Sequence, residues 1–160
     1  PLRLAAVDIL KPVQRSITLQ SIIALKRNIY LRLMHLDDGF TLLVDEYKIE
    51  QVLNNLITNA IEHSPENSHV DVQISRTGAE VLVTVTDAGP GIGEGESENV
   101  FAPYIRGQAL KAAGTKSTGL GLAISKKIIE AHQGRIWVEN LPELGPGASF
   151  CFLLPQKPRE

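Results

Sequence analysis

The sequence predicts an α+β fold, a two-layer α/β sandwich in which a mixed, mostly antiparallel five-stranded sheet carries about three helices on one face. Three observations lead there. Between residues 45 and 64, Ile49, Val52, Leu53, Leu56, Ile57, Ala60 and Ile61 fall on one broad apolar stripe at helical spacing. Residues 70–75 and 81–87 alternate with period two and are joined by the turn-forming stretch 76–80, the pattern of a hairpin. A second alternating pair, 135–140 and 148–154, closes the chain after another helix. Runs of strands interleaved with few helices favour a sheet that covers its apolar face on one side.

Taken in order, residues 1–26 read as a lead-in and then a helix, with Val13, Ile17, Ile22 and Leu25 roughly helically spaced and Pro12 tolerable in the first turn. Residues 29–34 alternate, Asp37-Asp38-Gly39 signals a turn, and 41–44 form a second short apolar run, so two strands are expected. The central helix ends before Pro65. Residues 89–118 are irregular and carry six glycines (Gly89, Gly91, Gly93, Gly95, Gly107 and Gly114), with a short helix expected around 99–104. A loop of this length in a small domain is usually a lid or a binding segment. Leu120, Ala123, Ile124, Ile128 and Ala131 then space a helix that Gly134 terminates. The whole reads as a single domain over 1–154, with a lid at about 93–118 and a tail at 155–160 expected to fray.

Composition bounds the function. With 160 residues, 43% hydrophobic, the chain is large enough to bury a core. A net charge of −2 with scattered Lys and Arg gives no nucleic-acid footprint. The single Cys151 excludes an internal disulfide and fits a reducing, cytoplasmic compartment. No apolar run nears the roughly 20 residues that span a bilayer, so this part of the chain is expected to touch no membrane. An opening at Pro1 rather than Met is expected of an excised or processed domain. The histidines His35, His63, His69 and His132 lack Cys or His partners at metal-ligand spacing.

Chemistry concentrates in three places. Asn55 and Asn59 lie one turn apart on the central helix with Glu62, and His63 stands at the edge of that face. Asn is a poor mid-helix residue; the pair reads either as a solvated face or as carbonyl oxygens for Mg²⁺, a hard cation that takes few protein ligands. Asp87 shares the parity of Val81, Val83 and Val85 and precedes Ala88-Gly89-Pro90-Gly91-Ile92-Gly93. It reads either as the cap of a turn or as an inward-facing carboxylate that accepts from the adenine amine, a group that guanine does not offer at that edge. Thr118-Gly119-Leu120-Gly121-Leu122 opens a helix with two glycines, which read either as tight packing or as close backbone approach that aims free N–H groups at an anion. Arg106, Lys111 and Lys116 in the preceding loop are either solvated charges or a cationic cover over polyphosphate.

Together, and in this order, these segments resemble the bacterial sensor histidine kinases. Residues 50–65 (EQVLNNLITNAIEHSP) are similar to the N box, 87–92 (DAGPGI) to the first glycine box, 100–107 (VFAPYIRG) to the F box and 117–124 (STGLGLAI) to the second glycine box. The resemblance is strong over about 40–154. It implies the Bergerat ATP-binding fold, shared with gyrase, heat-shock chaperone and mismatch-repair ATPases, and a catalytic domain that uses ATP and Mg²⁺. It further implies Asn59 as the Mg²⁺ ligand, Asn55 beside the phosphates and Asp87 on the adenine amine. Gly89, Gly91, Gly119 and Gly121 would frame nucleotide and lid, and Arg106 would approach the terminal phosphate. His63, Ile92, Phe101, Tyr104, Lys116, Thr118, Leu120 and Leu122 complete the implied nucleotide set, with Asn55, Asn59 and Arg106 catalytic.

Partners implied by the resemblance are a phosphoacceptor-histidine dimerisation domain of the same protein and the receiver domain of a response regulator. The acceptor is expected elsewhere, because no histidine here sits in a helical His-acid motif. The fragment alone is expected to be monomeric, and membrane anchoring of the full-length protein stays open. Three departures from the family pattern stand out: Glu62 stands where a basic residue is common, Lys116-Ser117 where small residues are usual, and Asn55 where the related ATPases carry a glutamate base. The alternatives are a nucleotide-dependent interaction module or degenerate kinase, and another ATPase or serine kinase on the same fold.

Overall fold

The structure, a computed structural model, describes residues 1–35, 39–102 and 120–157. Its elements in chain order are β1 (Ala5–Asp8), α1 (Leu10–Leu25), β2 (Tyr30–His35), β3 (Thr41–Val44), α2 (Glu46–His63), β4 (His69–Thr77), β5 (Glu80–Thr86), α3 (Gly121–Ala131), β6 (Arg135–Asn140) and β7 (Ala148–Pro155). Five strands form a mixed sheet in the order β2-β4-β5-β7-β6, in which β2 and β4 run parallel and the other pairs antiparallel. The parallel pair needs a crossover, and the connection through β3 and α2 provides it.

Register explains the core. Val72 pairs with Val85 and Ile74 with Val83, Val83 and Val85 pair with Phe152 and Phe150, and these two face Ile136 and Val138. All are buried on one face of the sheet. Against that face α2 sets Ile49, Val52, Leu53, Leu56, Ile57 and Ala60, each fully buried. α2 lies between α1 and α3, which complete the helical layer. The two-layer α+β sandwich expected from the sequence is therefore the fold.

α2 starts where its chemistry dictates. The Asp45 carboxylate accepts from the Lys48 N–H at 3.3 Å, an N-cap, and from the Arg3 N–H at 2.9 Å. The Arg3 bond, helped by Lys48, holds this carboxyl below its ordinary range against the opposing effect of burial. The Asp45 N–H donates to His132 Nε2 at 3.0 Å, which fixes the imidazole tautomer so that Nδ1–H donates to the Ile128 carbonyl at 2.8 Å. One histidine thus ties the end of α3 to the start of α2.

Three readings of the sequence need correction. β1, read as lead-in, pairs with β3 in a separate two-stranded sheet, so the two strands expected between 29 and 44 belong to different sheets. On α1, Ile22 and Leu25 are exposed; the inward face is Pro12, Val13, Ser16, Gln20 and Ala24. That interface is partly polar, with Ser16 Oγ donating to Asn54 Oδ1 at 2.5 Å and Gln20 Oε1 accepting from Thr58 Oγ1 at 3.2 Å, so hydrophobicity misreads which side faces α2. The tail is held as far as Gln156, whose N–H donates to the Ala79 carbonyl and whose carbonyl accepts from Leu43; residues 158–160 lie outside the described part.

Candidate functional site

Asp87 sits one residue past the end of β5 with the parity of the valines, and it is 3% exposed. Its N–H donates to the Ala148 carbonyl at 3.0 Å, continuing the β5–β7 ladder. The Ala148 N–H donates to Asp87 Oδ1 at 3.1 Å, and the Gly89 N–H donates to the same oxygen at 2.9 Å. The carboxylate therefore both caps the turn and faces inward: Oδ1 is held by two backbone donors, and Oδ2 points toward His63 Nδ1 at 4.0 Å. Burial raises the Asp87 carboxyl above its ordinary value, with the Gly89 and Ala148 N–H groups opposing.

The backbone crowds this carboxylate from two sides. A Cβ on Gly147 would lie 2.0 Å from Asp87 Oδ1, and one on Gly89 would lie 2.4 Å from the His63 carbonyl. Neither position tolerates a side chain. Gly91 adopts φ +82°, which glycine alone holds without strain. The Ser64 Oγ accepts from the Ala88 N–H at 3.0 Å and donates to the Ala60 carbonyl at 2.8 Å, fixing the start of the loop to the end of α2. Arg27 in turn donates to the carbonyls of Ile61 and Ser64, securing that helix end.

One and a half turns back along α2 lies a cavity of about 140 Å³, lined by Asn54, Asn55, Thr58, Asn59, Glu62, Gly121 and Leu122. It joins the helix face picked out from the sequence to the start of α3. Asn55 Nδ2 donates to the Gly121 carbonyl at 3.1 Å and to Ser125 Oγ at 3.3 Å, so it links the two helices. Asn59 is 6% exposed, and its Nδ2 has no hydrogen-bond partner among the described residues. A buried amide donor left this way is costly unless a ligand meets it. Glu62 also lines the cavity rather than facing away from it. The donor set is amide and carboxylate oxygen, which suits a hard divalent cation with phosphate as co-ligand.

The remaining sequence-derived residues divide in two. His63 and Ile92 flank Asp87 and its loop, Leu120 precedes α3, and Phe101 packs edge-on to Phe150 with ring centroids 6.1 Å apart, anchoring the end of the stretch 39–102 in the core. Tyr104, Arg106, Lys116, Thr118 and Gly119 lie outside the described residues. Sequence reasoning missed Asn140 and Gly147. A signal for Gly147 was present: Gly145-Pro146-Gly147 repeats the triplet Gly89-Pro90-Gly91, and the two triplets meet at Asp87.

A buried strand-end carboxylate, a glycine loop and an asparagine-lined cavity on one two-layer sandwich define a nucleotide-binding catalytic domain. The chain belongs to the histidine kinase-, DNA gyrase B-, and HSP90-like ATPase family, which matches residues 44–158. It is similar to the adaptive-response sensory kinase SasA of Synechococcus sp. (strain JA-3-3Ab), at 43% identity over 116 residues, 72% of this chain and 30% of that kinase. It is also similar to the sensor histidine kinase WalK of Bacillus subtilis (strain 168), at 40% identity over 116 residues, 71% of this chain and 19% of that one. The chain thus spans less than a third of these relatives. Among solved structures, the catalytic domain of histidine kinase ThkA matches with a TM-score of 0.87 at 31% identity over 98% of each chain. ThkA in complex with the response regulator TrrA matches with a TM-score of 0.82 at 29% identity, over 97% of this chain and 42% of that one. The chain is an ATP-binding catalytic domain of the sensor histidine kinase type.

Proposed function

We propose that this domain binds Mg·ATP and presents its γ-phosphate to a histidine on a separate dimerisation domain of the same protein, for relay to a response regulator. The observation that carries the reading is the division of labour at Asp87: Oδ1 is fixed by two backbone donors, and Oδ2, turned toward His63, would accept from an adenine amine. Asn59 would hold Mg²⁺ and Asn55 would lie beside the phosphates, on the cavity wall that α2 and α3 share. Bound Mg²⁺ would neutralise charge on the phosphates. The protein's own part is positioning: the base end is read at Asp87, the phosphate end at α2, and lid cations including Arg106 and Lys116 would cover the γ-phosphate. Asn55 offers no carboxylate to activate water, which favours transfer to an external acceptor over hydrolysis. The ThkA–TrrA complex supports a response regulator as the final partner. No helix among the described residues is long and apolar enough to cross a membrane, in keeping with a cytoplasmic location for this domain.

Incubation with γ-labelled ATP tests the reading. The isolated domain is expected to bind Mg·ATP in a calorimetric titration without acquiring stable label, and to label a phosphoacceptor domain added in trans. Stable label on the domain alone would overturn it. A second reading, a nucleotide-dependent interaction module, has one observation in its favour: Glu62 lines the phosphate-end cavity. Absence of Mg·ATP binding in the same titration would decide for it.

A further inference from the structure

Asn140 is the last residue of β6, and its side chain crosses to the loop that follows Asp87. Its Oδ1 accepts from the Ile92 N–H at 2.9 Å, and its Nδ2 donates to the Ile92 carbonyl at 3.0 Å. One side-chain amide therefore satisfies both backbone groups of a single loop residue. That requires a donor and an acceptor side by side in one plane, which Asn provides and Asp, Ser or Ala does not. The amide also lies against Gly91, where a Cβ would come within 2.9 Å of Oδ1, so the left-handed turn at Gly91 and the clamp on Ile92 are one unit.

The clamp is connected to the carboxylate. Asn140 pairs in register with Ala148, and Ala148 is the residue whose N–H holds Asp87 Oδ1. The end of the β6–β7 pair thus grips the loop at two points, Asp87 from β7 and Ile92 from β6. Between those points Ala88 is tied to Ser64 Oγ and Gly89 to Asp87 Oδ1, and neither bond reaches Gly91 or Ile92.

We infer that Asn140 is a positioning residue for the base end of the nucleotide site: it sets the loop carrying Gly91 and Ile92 at the height where a base can reach Asp87 Oδ2. This rests on the assignment of Asp87 and its loop to adenine. Asn140 acts through the backbone of Ile92, so its removal weakens every adenine nucleotide alike and leaves the phosphate-end contacts untouched.

The test is a calorimetric titration of the domain and of Asn140→Ala and Asn140→Asp with two ligands, ADP in the presence of a chelator and Mg·ATP, alongside thermal unfolding. Both ligands are expected to weaken in Asn140→Ala by the same factor of about ten, the effect of two lost hydrogen bonds. Asn140→Asp, which keeps the shape and the acceptor but sets a carboxylate oxygen against the Ile92 carbonyl, is expected to lose at least as much. The unfolding midpoint is expected to stay within about 2 °C of the parent, because Asn140 is exposed and lies at a strand end. Parent-like affinities in Asn140→Ala, or a loss confined to Mg·ATP, would overturn the inference while leaving the nucleotide reading standing. Failure of the parent itself to bind either ligand would overturn both.

Discussion

Ala148 and Asp87 exchange two hydrogen bonds of different kinds: the Asp87 N–H donates to the Ala148 carbonyl, and the Ala148 N–H donates to the Asp87 carboxylate. The side chain thereby enters the antiparallel ladder at the point where the strand would otherwise run on. This orients the carboxylate, with Oδ1 held and Oδ2 turned toward His63, and four expectations follow from it and from the cavity beside it.

Asp87→Asn keeps an acceptor for both backbone donors and replaces the free oxygen with an amide donor. On the proposed assignment two donors, this amide and the adenine amine, would then face each other. Nucleotide binding is expected to fall below detection by calorimetry while the circular dichroism spectrum and unfolding midpoint hold or rise, since burial makes the ionised carboxylate a cost to the fold. Parent-like ATP affinity would remove Asp87 from the base site.

The pH dependence has a definite sign. Burial raises the folded carboxyl above its ordinary value of 3.8, so its contribution to stability is present below the unfolded pKa and is lost as pH rises through the folded one. On the proposed assignment nucleotide affinity runs the other way, because the ionised form would accept from adenine. It is expected to be full above the raised pKa and to decline as pH falls through it, beginning at a higher pH than an ordinary carboxylate would set. Affinity measured against pH in the parent checks this; a profile that follows 3.8 would count against burial as the controlling factor.

Gly147→Ala would place a methyl 2.0 Å from Asp87 Oδ1 and 2.2 Å from the Asp87 carbonyl. Neither neighbour is the end of a flexible chain, so the backbone has to move apart. The expected outcome is a stability loss of about 1–3 kcal/mol by denaturant titration, accompanied by weaker nucleotide binding as the Ala148 donor leaves Oδ1. An unchanged affinity would show that the carboxylate keeps its orientation without this approach.

Glu62 shares the cavity with Asn59, and on the proposed assignment of this cavity to the phosphates a carboxylate there would oppose them. Glu62→Gln is expected to raise affinity for ATP in the presence of a chelator roughly threefold to tenfold, and by less when Mg²⁺ is supplied, since the cation already offsets the charge. A loss of affinity would instead give Glu62 a supporting role at the phosphate end.

Much of the site was legible along the chain because its parts are local. Asn55 and Asn59 are one turn apart on α2, and the parity of Val81, Val83 and Val85 carries through to Asp87; spacing alone places each on its face. Burial of the central helix stripe and of both hairpins followed the period of their apolar residues in the same way. α1 was misread because Ser16 and Gln20 point inward to meet Asn54 and Thr58, and a hydrophobic pattern does not register polar groups that satisfy each other.

By itself the sequence determined the helix or strand character of every element but β1, the buried face of α2 and of both hairpins, and that a carboxylate with core parity ends the central strand. Only the tertiary structure decided what surrounds that carboxylate. Ala148 and Gly147 lie about 60 residues further along, and Asn140 reaches Ile92 across 48 positions. Such contacts depend on β7 pairing beside β5, a register in which the inward side chains of both strands share one core.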